Sequence, residues 1–279
     1  MKNGVTVWHY RNRTVLENAE FFAAHGFDSI SLHGASMHKI AADPVEGEQL
    51  AEIVKRTGLV LTAHHKLPLD HSENTVEAFK KAIDDIGKWQ EKHGCLGILS
   101  FDVAQDIRDN ITPYIDYVME NVKGAKIALE DFGLNDSEIA QIAHLKGNPR
   151  FGFLMDIGHL HIRMCGRSEE KITLFTNSPK ECPVCEKPGY EEYYRAFASK
   201  EFPIFEIHLH NNNGVKDQHY FLEDGPLDIP AVAKALKAVG FDGVVTNESA
   251  PGYTFECAAE ECDRRINENL AYWKKLCSL

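Results

Sequence analysis

Eight short apolar runs rich in β-branched residues punctuate this sequence: Gly4 to His9, Ser29 to His33, Leu59 to His64, Leu96 to Phe101, Lys126 to Glu130, Phe151 to Asp156, Ile204 to His210, and Val244 to Glu248. Between and after them lie stretches with the 3.6-residue spacing of amphipathic helices, at Val15 to Ala24, Glu48 to Arg56, Val76 to Lys92, Pro113 to Val122, Ser137 to Leu145, Tyr190 to Ala198, Ile229 to Val239 and Cys257 to Leu276. Several stop at a glycine, among them Gly26, Gly58, Gly94, Gly124 and Gly240. Strict alternation of strand and helix demands a parallel sheet covered by helices, and eight such units close into a barrel more naturally than they fill an open sheet.

A doubly wound sheet shares the alternation, so the polar residues decide between the two. His9, His33, His64, His65, Asp102, Glu130, Asp156, His210 and Glu248 each stand at or just past the C-terminal end of a strand run. In a barrel those ends converge on one mouth. The sequence thus predicts a single (β/α)8 TIM barrel of α/β class over residues 1–279, with a long loop inserted after strand 6. A chain of 279 residues with 43% hydrophobic composition can fill one such core.

Glu130 closes the apolar run Ala128-Leu129-Glu130, Asp156 closes Leu154-Met155-Asp156, and Glu248 follows Val244-Val245-Thr246-Asn247. Carboxylates crowded at one mouth repel and raise each other's pKa, and a divalent ion resolves the conflict. The imidazole of the set comes from His208 or His210, which are two apart on one strand and therefore share a face. A lone strand-end carboxylate is as a rule a helix cap or a loop salt bridge. Four strand ends in the order acid, acid, imidazole, acid make a pattern that caps do not produce. Glu130, Asp156, His208, His210 and Glu248 are the candidate metal ligands.

Acidic groups outnumber basic ones by 42 to 30, a formal charge of −12, so duplex nucleic acid meets a repulsive mean field and is not the expected partner. Met1 to Tyr10 lack a basic region followed by a long apolar run, and no membrane-length apolar stretch occurs, so a cytoplasmic protein is expected. Seven scattered cysteines suit reduced thiols. Helical faces of barrels often pair, so a homo-oligomer is compatible with the sequence, although no single exposed stripe specifies one.

The motifs Leu129-Glu130-Asp131, Met155-Asp156-Ile157-Gly158-His159, His208-Leu209-His210-Asn211-Asn212-Asn213-Gly214, Asp217-Gln218-His219, Glu223-Asp224-Gly225-Pro226-Leu227-Asp228 and Phe241-Asp242-Gly243-Val244-Val245-Thr246-Asn247-Glu248 resemble, in order and spacing, the xylose isomerase-like barrel superfamily. That superfamily contains sugar and sugar-phosphate isomerases and epimerases together with endonuclease IV. The resemblance implies the barrel and the metal site, whereas the framework runs several chemistries. Its epimerase branch implies that Glu130 and Glu248 remove and return a proton on opposite faces of a ketose through an enediolate. It also implies that His159 binds a substrate hydroxyl, and that His64 or His65, next to Lys66, lies over the substrate or holds a second ion. A small carbohydrate is the expected partner, and Mn²⁺ or Zn²⁺, with Co²⁺ or Mg²⁺ also suited to the ligands, the expected cofactor. An enediolate with a leaving group beside it can also eliminate, which keeps a lyase or dehydratase open.

The endonuclease branch implies a third metal site at His159, Asp217 and His219, and calls for a metal-binding histidine at the fourth strand end, where this chain has Asp102. That departure and the −12 charge favour small-molecule chemistry. In the loop from Ile162 to Gly189, Cys182 and Cys185 could anchor a zinc with Cys165 and His161, although a full ligand quartet at standard spacing is lacking. Cys95, Cys257, Cys262 and Cys277 read as packing residues. His9, His33 and His38 are weaker candidates for the site, and Trp8 and Phe132 are candidate neighbours of a sugar ring.

Overall fold

The computed structural model describes residues 1–7, 13–130, 136–164, 202–251 and 256–279. In it the apolar runs become the strands β1 (Lys2–Thr6), β2 (Ser29–His33), β3 (Val60–Lys66), β4 (Leu96–Asp102), β5 (Lys126–Glu130), β6 (Phe151–Asp156), β7 (Ile204–Leu209) and β8 (Val244–Asn247). Every strand pairs in parallel with its sequence neighbours, and β8 pairs with β1, which closes the barrel. The expected (β/α)8 architecture is therefore the observed one.

Side chains on successive strand residues face opposite ways, which divides the strands into an outer and an inner set. The outer set, including Ile30, Leu32, Leu61, Leu99, Phe101, Ile127, Phe153, Met155 and Ile207, packs with Phe22, Leu50, Ile83, Ile115, Leu236 and Ile266 of the helices in one buried core. Burying each such side chain is worth about 1.5–3 kcal/mol relative to leaving it in water. On the inner set, Ile98, Ala128, Leu154 and Val244 join Phe205 in a separate cluster near the strand starts. Two residues further along the same strands the inner face turns polar, with Ser100, Glu130, Asp156 and Thr246. An apolar floor thus supports a polar mouth.

Nine described helices cover the strands: α1 (Val15–Ala24), α2 (Gly34–Ala42), α3 (Pro44–Thr57), α4 (Glu73–His93), α5 (Thr112–Asn121), α6 (Asp136–Gln141), α7 (Ile157–Met164), α8 (Ile229–Ala238) and α9 (Ala259–Ser278). Local chemistry sets their ends. Thr14 and Glu17 form a capping box on α1, and Asp43 accepts from Val45 and Glu46 to start α3, with Pro44 in its first turn. α4 stops at Gly94, whose φ of 65° is open to glycine at no steric cost. No helix among the described residues is long and apolar enough to cross a membrane.

Several boundaries differ from expectation. β1 lies at Lys2–Thr6 rather than Gly4 to His9, and β3 runs on to Lys66, two residues past His64. α2 has no counterpart in the sequence reading. It starts on His33, whose ring nitrogen accepts from the Ala35 amide at 3.4 Å, and its small residues lack the broad apolar stripe that marks a helix. The stretch Ser137 to Leu145 is α6 followed by a separate 3-10 turn, Ala143–Leu145. The Tyr190 to Ala198 pattern, Cys165, Cys182 and Cys185, and also Trp8, His9 and Phe132, lie outside the described residues.

Candidate metal centre

β5 and β6 each end on a buried carboxylate, Glu130 and Asp156, both 1% exposed, and Glu248 stands one residue past the end of β8. Glu130 Oε1 lies 2.8 Å from His159 Nδ1, and its Oε2 lies 3.1 Å from His64 Nε2. The same His64 nitrogen is 3.0 Å from Asp102 Oδ1, while His64 Nδ1 meets the Ser100 hydroxyl at 2.9 Å. Asp156 Oδ1 accepts from the His159 amide at 2.8 Å, so this oxygen does cap the start of α7. Asp156 Oδ2 is buried with no hydrogen-bond partner.

The loop after β7 completes the cluster. Asn211 donates to the carbonyls of Leu222 and Gly225 and accepts from the Asn212 and Leu227 amides, which satisfies a buried backbone that has no ladder of its own. Asn212 donates to Gly158 and lies 2.9 Å from His161 Nδ1, tying the loop to α7. The chain thereby returns Asp217 and His219 to the mouth, where Asp217 Oδ2 lies 3.2 Å from His159 Nε2 and 2.8 Å from His219 Nε2. His219 has a φ of 48°, an uncommon conformation for a residue with a β-carbon, and its ring stacks on His210 at 3.9 Å.

His208 and His210 both face the cluster, as their spacing predicts. His208 Nδ1 lies 3.2 Å from Glu248 Oε2, and its Nε2 faces Glu206 at 3.8 Å. His210 Nε2 lies 3.4 Å from both Asp156 Oδ1 and Asp217 Oδ1, while its Nδ1 faces the Asn211 carbonyl at 3.4 Å. With Nδ1 facing a backbone carbonyl, Nε2 is the ring nitrogen turned toward the carboxylates, the usual arrangement of a metal-binding histidine.

Electrostatics follow from this crowding. Burial and then the nearby Asp102 charge push the Glu130 carboxyl up to about 7. Burial also opposes ionisation of Glu248, but the adjacent His208 outweighs it and holds Glu248 below its ordinary value. Asp156 and Asp217 are lowered in the same way, burial being overcome by His159 and His210 for the first and by His219 and His159 for the second. Burial disfavours the charged form of His219, yet Asp217 raises its pKa to about 9.

The donors fit a divalent cation. Among the described residues, Asp156 Oδ2, His208 Nε2, His210 Nε2 and Asp217 Oδ1 are buried without hydrogen-bond partners. Buried polar atoms are otherwise almost always paired. His64, Glu130 and His208 offer ligand atoms within 4.8 Å of one another, and so do Asp156, His208 and Glu248, Asp156, His159 and His210, and His210, His219 and Glu248. Mixed oxygen and imidazole donors suit Mn²⁺, Zn²⁺, Co²⁺ or Mg²⁺.

Glu130, Asp156, His208, His210, Glu248, His64, His159, Asp217 and His219 are thus joined in one network. His65 is not among them. It follows the inward-facing His64 and must point outward, where its ring lies 6.1 Å from Phe101 and 6.4 Å from Phe79 and packs on Gly34. His38 pairs with Asp85 on the helical layer. Two further residues take part: Asp102, which the sequence places at a strand end without giving it a role in the site, and Glu206. Asp102 ends its strand as Glu130 does and was open to the same reasoning, and Glu206 shares the inward face of His208 and His210 by the period of two.

Gly158 makes room for the site. A β-carbon there would stand 2.1 Å from His210 Cε1 and 2.2 Å from Nε2. Gly158→Ala is therefore expected to push the His210 ring off Asp156 and to cost about 1–3 kcal/mol of stability, measurable by urea unfolding, with weaker metal retention. A variant that is as stable and as metal-avid as wild type would show that the ring has free space.

The model of the xylose isomerase-like TIM barrel family matches residues 19–276. Uncharacterized protein MJ1311 of Methanocaldococcus jannaschii is 22% identical over 271 residues, spanning 89% of this chain and 84% of that protein. D-Psicose 3-epimerase from Clostridium cellulolyticum H10, solved with D-tagatose, superposes with a TM-score of 0.70 at 12% identity, covering 99% of both chains. A D-tagatose 3-epimerase-like protein gives 0.68 at 18% identity, again over 99% of both chains. An IOLI protein with a bound zinc atom gives 0.68 at 17%, over 100% of this chain and 98% of that one. At these identities the structural likeness is one of fold. The sequence match carries more, and by it the chain belongs to the xylose isomerase-like TIM barrel family.

Proposed function

We propose that this protein is a divalent-metal-dependent isomerase or epimerase of a sugar, sugar phosphate or related ketose, with Glu130 and Glu248 as its proton-transferring pair. The observation that carries the reading is the placement of two buried carboxylates on β5 and just past β8, three strands apart around the ring, flanking Asp156 and His210. Their environments also differ, Glu130 being raised to about 7 and Glu248 lowered. Two carboxylates pushed apart in this way are suited to opposite roles, one accepting a proton while the other holds one.

Glu130, Asp156, His210 and Glu248 would hold the ion. A cation there would polarise the carbonyl and hydroxyl oxygens of a ketose and stabilise the enediolate that proton removal creates. Glu248 takes the proton from the carbon next to the carbonyl, and Glu130 returns one to the other face. His159, whose Nδ1 bonds Glu130 and whose Nε2 faces Asp217 at 3.2 Å, would exchange the longer of these contacts for a substrate hydroxyl. His64 lies between Asp102 and Glu130 and limits how far the Glu130 carboxylate can swing. A lyase or dehydratase would use the same first step.

The test is deuterium uptake. Mn²⁺-loaded protein incubated in D₂O with free and phosphorylated pentuloses and hexuloses is expected to place deuterium next to the carbonyl of at least one and to form its epimer or isomer, both read by NMR. Metal-loaded protein that exchanges no ketose would overturn the reading.

A second reading, a metal-dependent phosphodiester hydrolase of the endonuclease IV type, is favoured by one observation. Asp217 Oδ2 lies within bonding reach of both His159 Nε2 and His219 Nε2 beside the central donors, more ligands than one ion needs. Incision of abasic duplex DNA at low salt is its test.

A further inference from the structure

We propose that Glu206 and His208 form a positioning column beneath the mouth: Glu206 sets the orientation of the His208 ring, and His208 holds the Glu248 carboxylate in place. The inference rests on the ligand set proposed above, in which Glu248 binds the ion and His208 does not.

Glu206 is a carboxylate with no exposed surface, set on the inner face of β7 in the layer between the apolar floor and the mouth. Thr62 donates to its Oε1 at 3.0 Å and Thr246 at 2.6 Å, so β3 from across the barrel and the adjacent β8 fix it. Its Oε2 has no hydrogen-bond partner. A residue that only filled space here would be apolar, because a buried polar group is costly unless it is hydrogen-bonded. The ring atom that stands against this carboxylate is His208 Nε2, 3.8 Å from Oε1 and itself without a hydrogen-bond partner.

The other edge of the ring points up. His208 Nδ1 lies 3.2 Å from Glu248 Oε2, and the His64 ring packs edge-on against His208 at 5.0 Å, which limits its rotation. Glu248 needs such support. It stands past the last residue of β8, and its other ring neighbour, His219, is 3.8 Å from the same oxygen. Groups that orient a metal-binding side chain typically change affinity by 10–100-fold when removed.

Mn²⁺ titration of the full chain, followed by calorimetry, tests the column. Glu206→Gln and His208→Gln are each expected to weaken Mn²⁺ binding by about 10–100-fold with unchanged stoichiometry. The double variant is expected to bind no more weakly than His208→Gln alone, because Glu206 acts through that ring. Thr246→Val, which removes the shorter donor to Glu206 at nearly constant volume, shifts affinity in the same direction and replaces Glu206→Gln should that variant fail to fold. A merely structural role would lower the melting temperature and leave Mn²⁺ affinity alone. Glu206→Gln binding within about threefold of wild type, full additivity in the double variant, or loss of the bound equivalent in His208→Gln would each overturn the column. Asp156→Asn is the control for the ligand set: Mn²⁺ binding that survives it overturns that set and the column with it, whereas failure in Glu206→Gln alone overturns only the column.

Discussion

Glu248→Gln protein, saturated with Mn²⁺, is expected to lose epimerisation by about 10²–10⁴-fold, and Glu130→Gln by a similar factor, since that is what a positioned acid or base contributes. The two losses should differ in kind. If each carboxylate serves one face of the reacting carbon, Glu248→Gln still exchanges solvent deuterium into the epimer whose hydrogen faces Glu130, and Glu130→Gln into the other. Glutamine keeps the volume and a carbonyl oxygen, so the fold and part of the cation binding remain. Saturating metal then separates proton transfer from affinity. Isotope exchange with each purified epimer, followed by NMR, gives the answer. Epimerisation retained above a tenth of wild type in either variant would show that the corresponding carboxylate is not the base or acid on that face.

The fold was legible because barrel strands announce themselves locally. The bounds of β2, β5 and β6 agree with the apolar runs read from the sequence, and the carboxylates at the ends of β5 and β6 stand where that reading placed them. Errors cluster where a short-range signal is ambiguous. His64 and His65 are adjacent, so at most one can face inward; the continuation of β3 to Lys66 assigns that place to His64. α2 was missed because a short helix capped by a histidine and begun by Gly34 and Ala35 has neither a strong cap signature nor an apolar stripe.

The site was legible at the level of residue types and not of their partners. Period two put His208 and His210 on the same face and could go no further. What separates them is their second nitrogen: a backbone carbonyl faces His210 Nδ1, and a buried carboxylate faces His208 Nε2. The period of two puts Glu206 on the face of His208 but does not say which atoms meet, because the Glu206 carboxylate is fixed by Thr62 of β3 and Thr246 of β8, both far away in sequence. Asp102 was seen as a departure from a histidine expected at β4. In the structure it bonds His64 and raises the pKa of Glu130, so a carboxylate at that position tunes the neighbouring acid.

Mn²⁺ added to metal-free wild-type protein is expected to raise the melting temperature, and Asp156→Asn and His210→Gln are expected to abolish that rise. At a thousandfold excess over the dissociation constant, binding to the folded state alone is worth about 4 kcal/mol. For a chain of this size that corresponds to roughly 8–16 °C. Asp156→Asn retains the oxygen that caps α7 and loses the negative charge, so its effect on metal binding is separable from an effect on the helix start. Loss of a ligand should exceed the ~100-fold change that follows loss of an orienting group, which sets these variants apart from Glu206→Gln. Elemental analysis beside the melting curves decides between the two chemistries. About one equivalent in wild type, lost in both variants, fits a central site serving a ketose. About three equivalents of zinc, with one lost in His219→Gln, would mean that the His159, Asp217 and His219 group is itself a site, and phosphodiester hydrolysis would then replace proton transfer as the reading of this mouth.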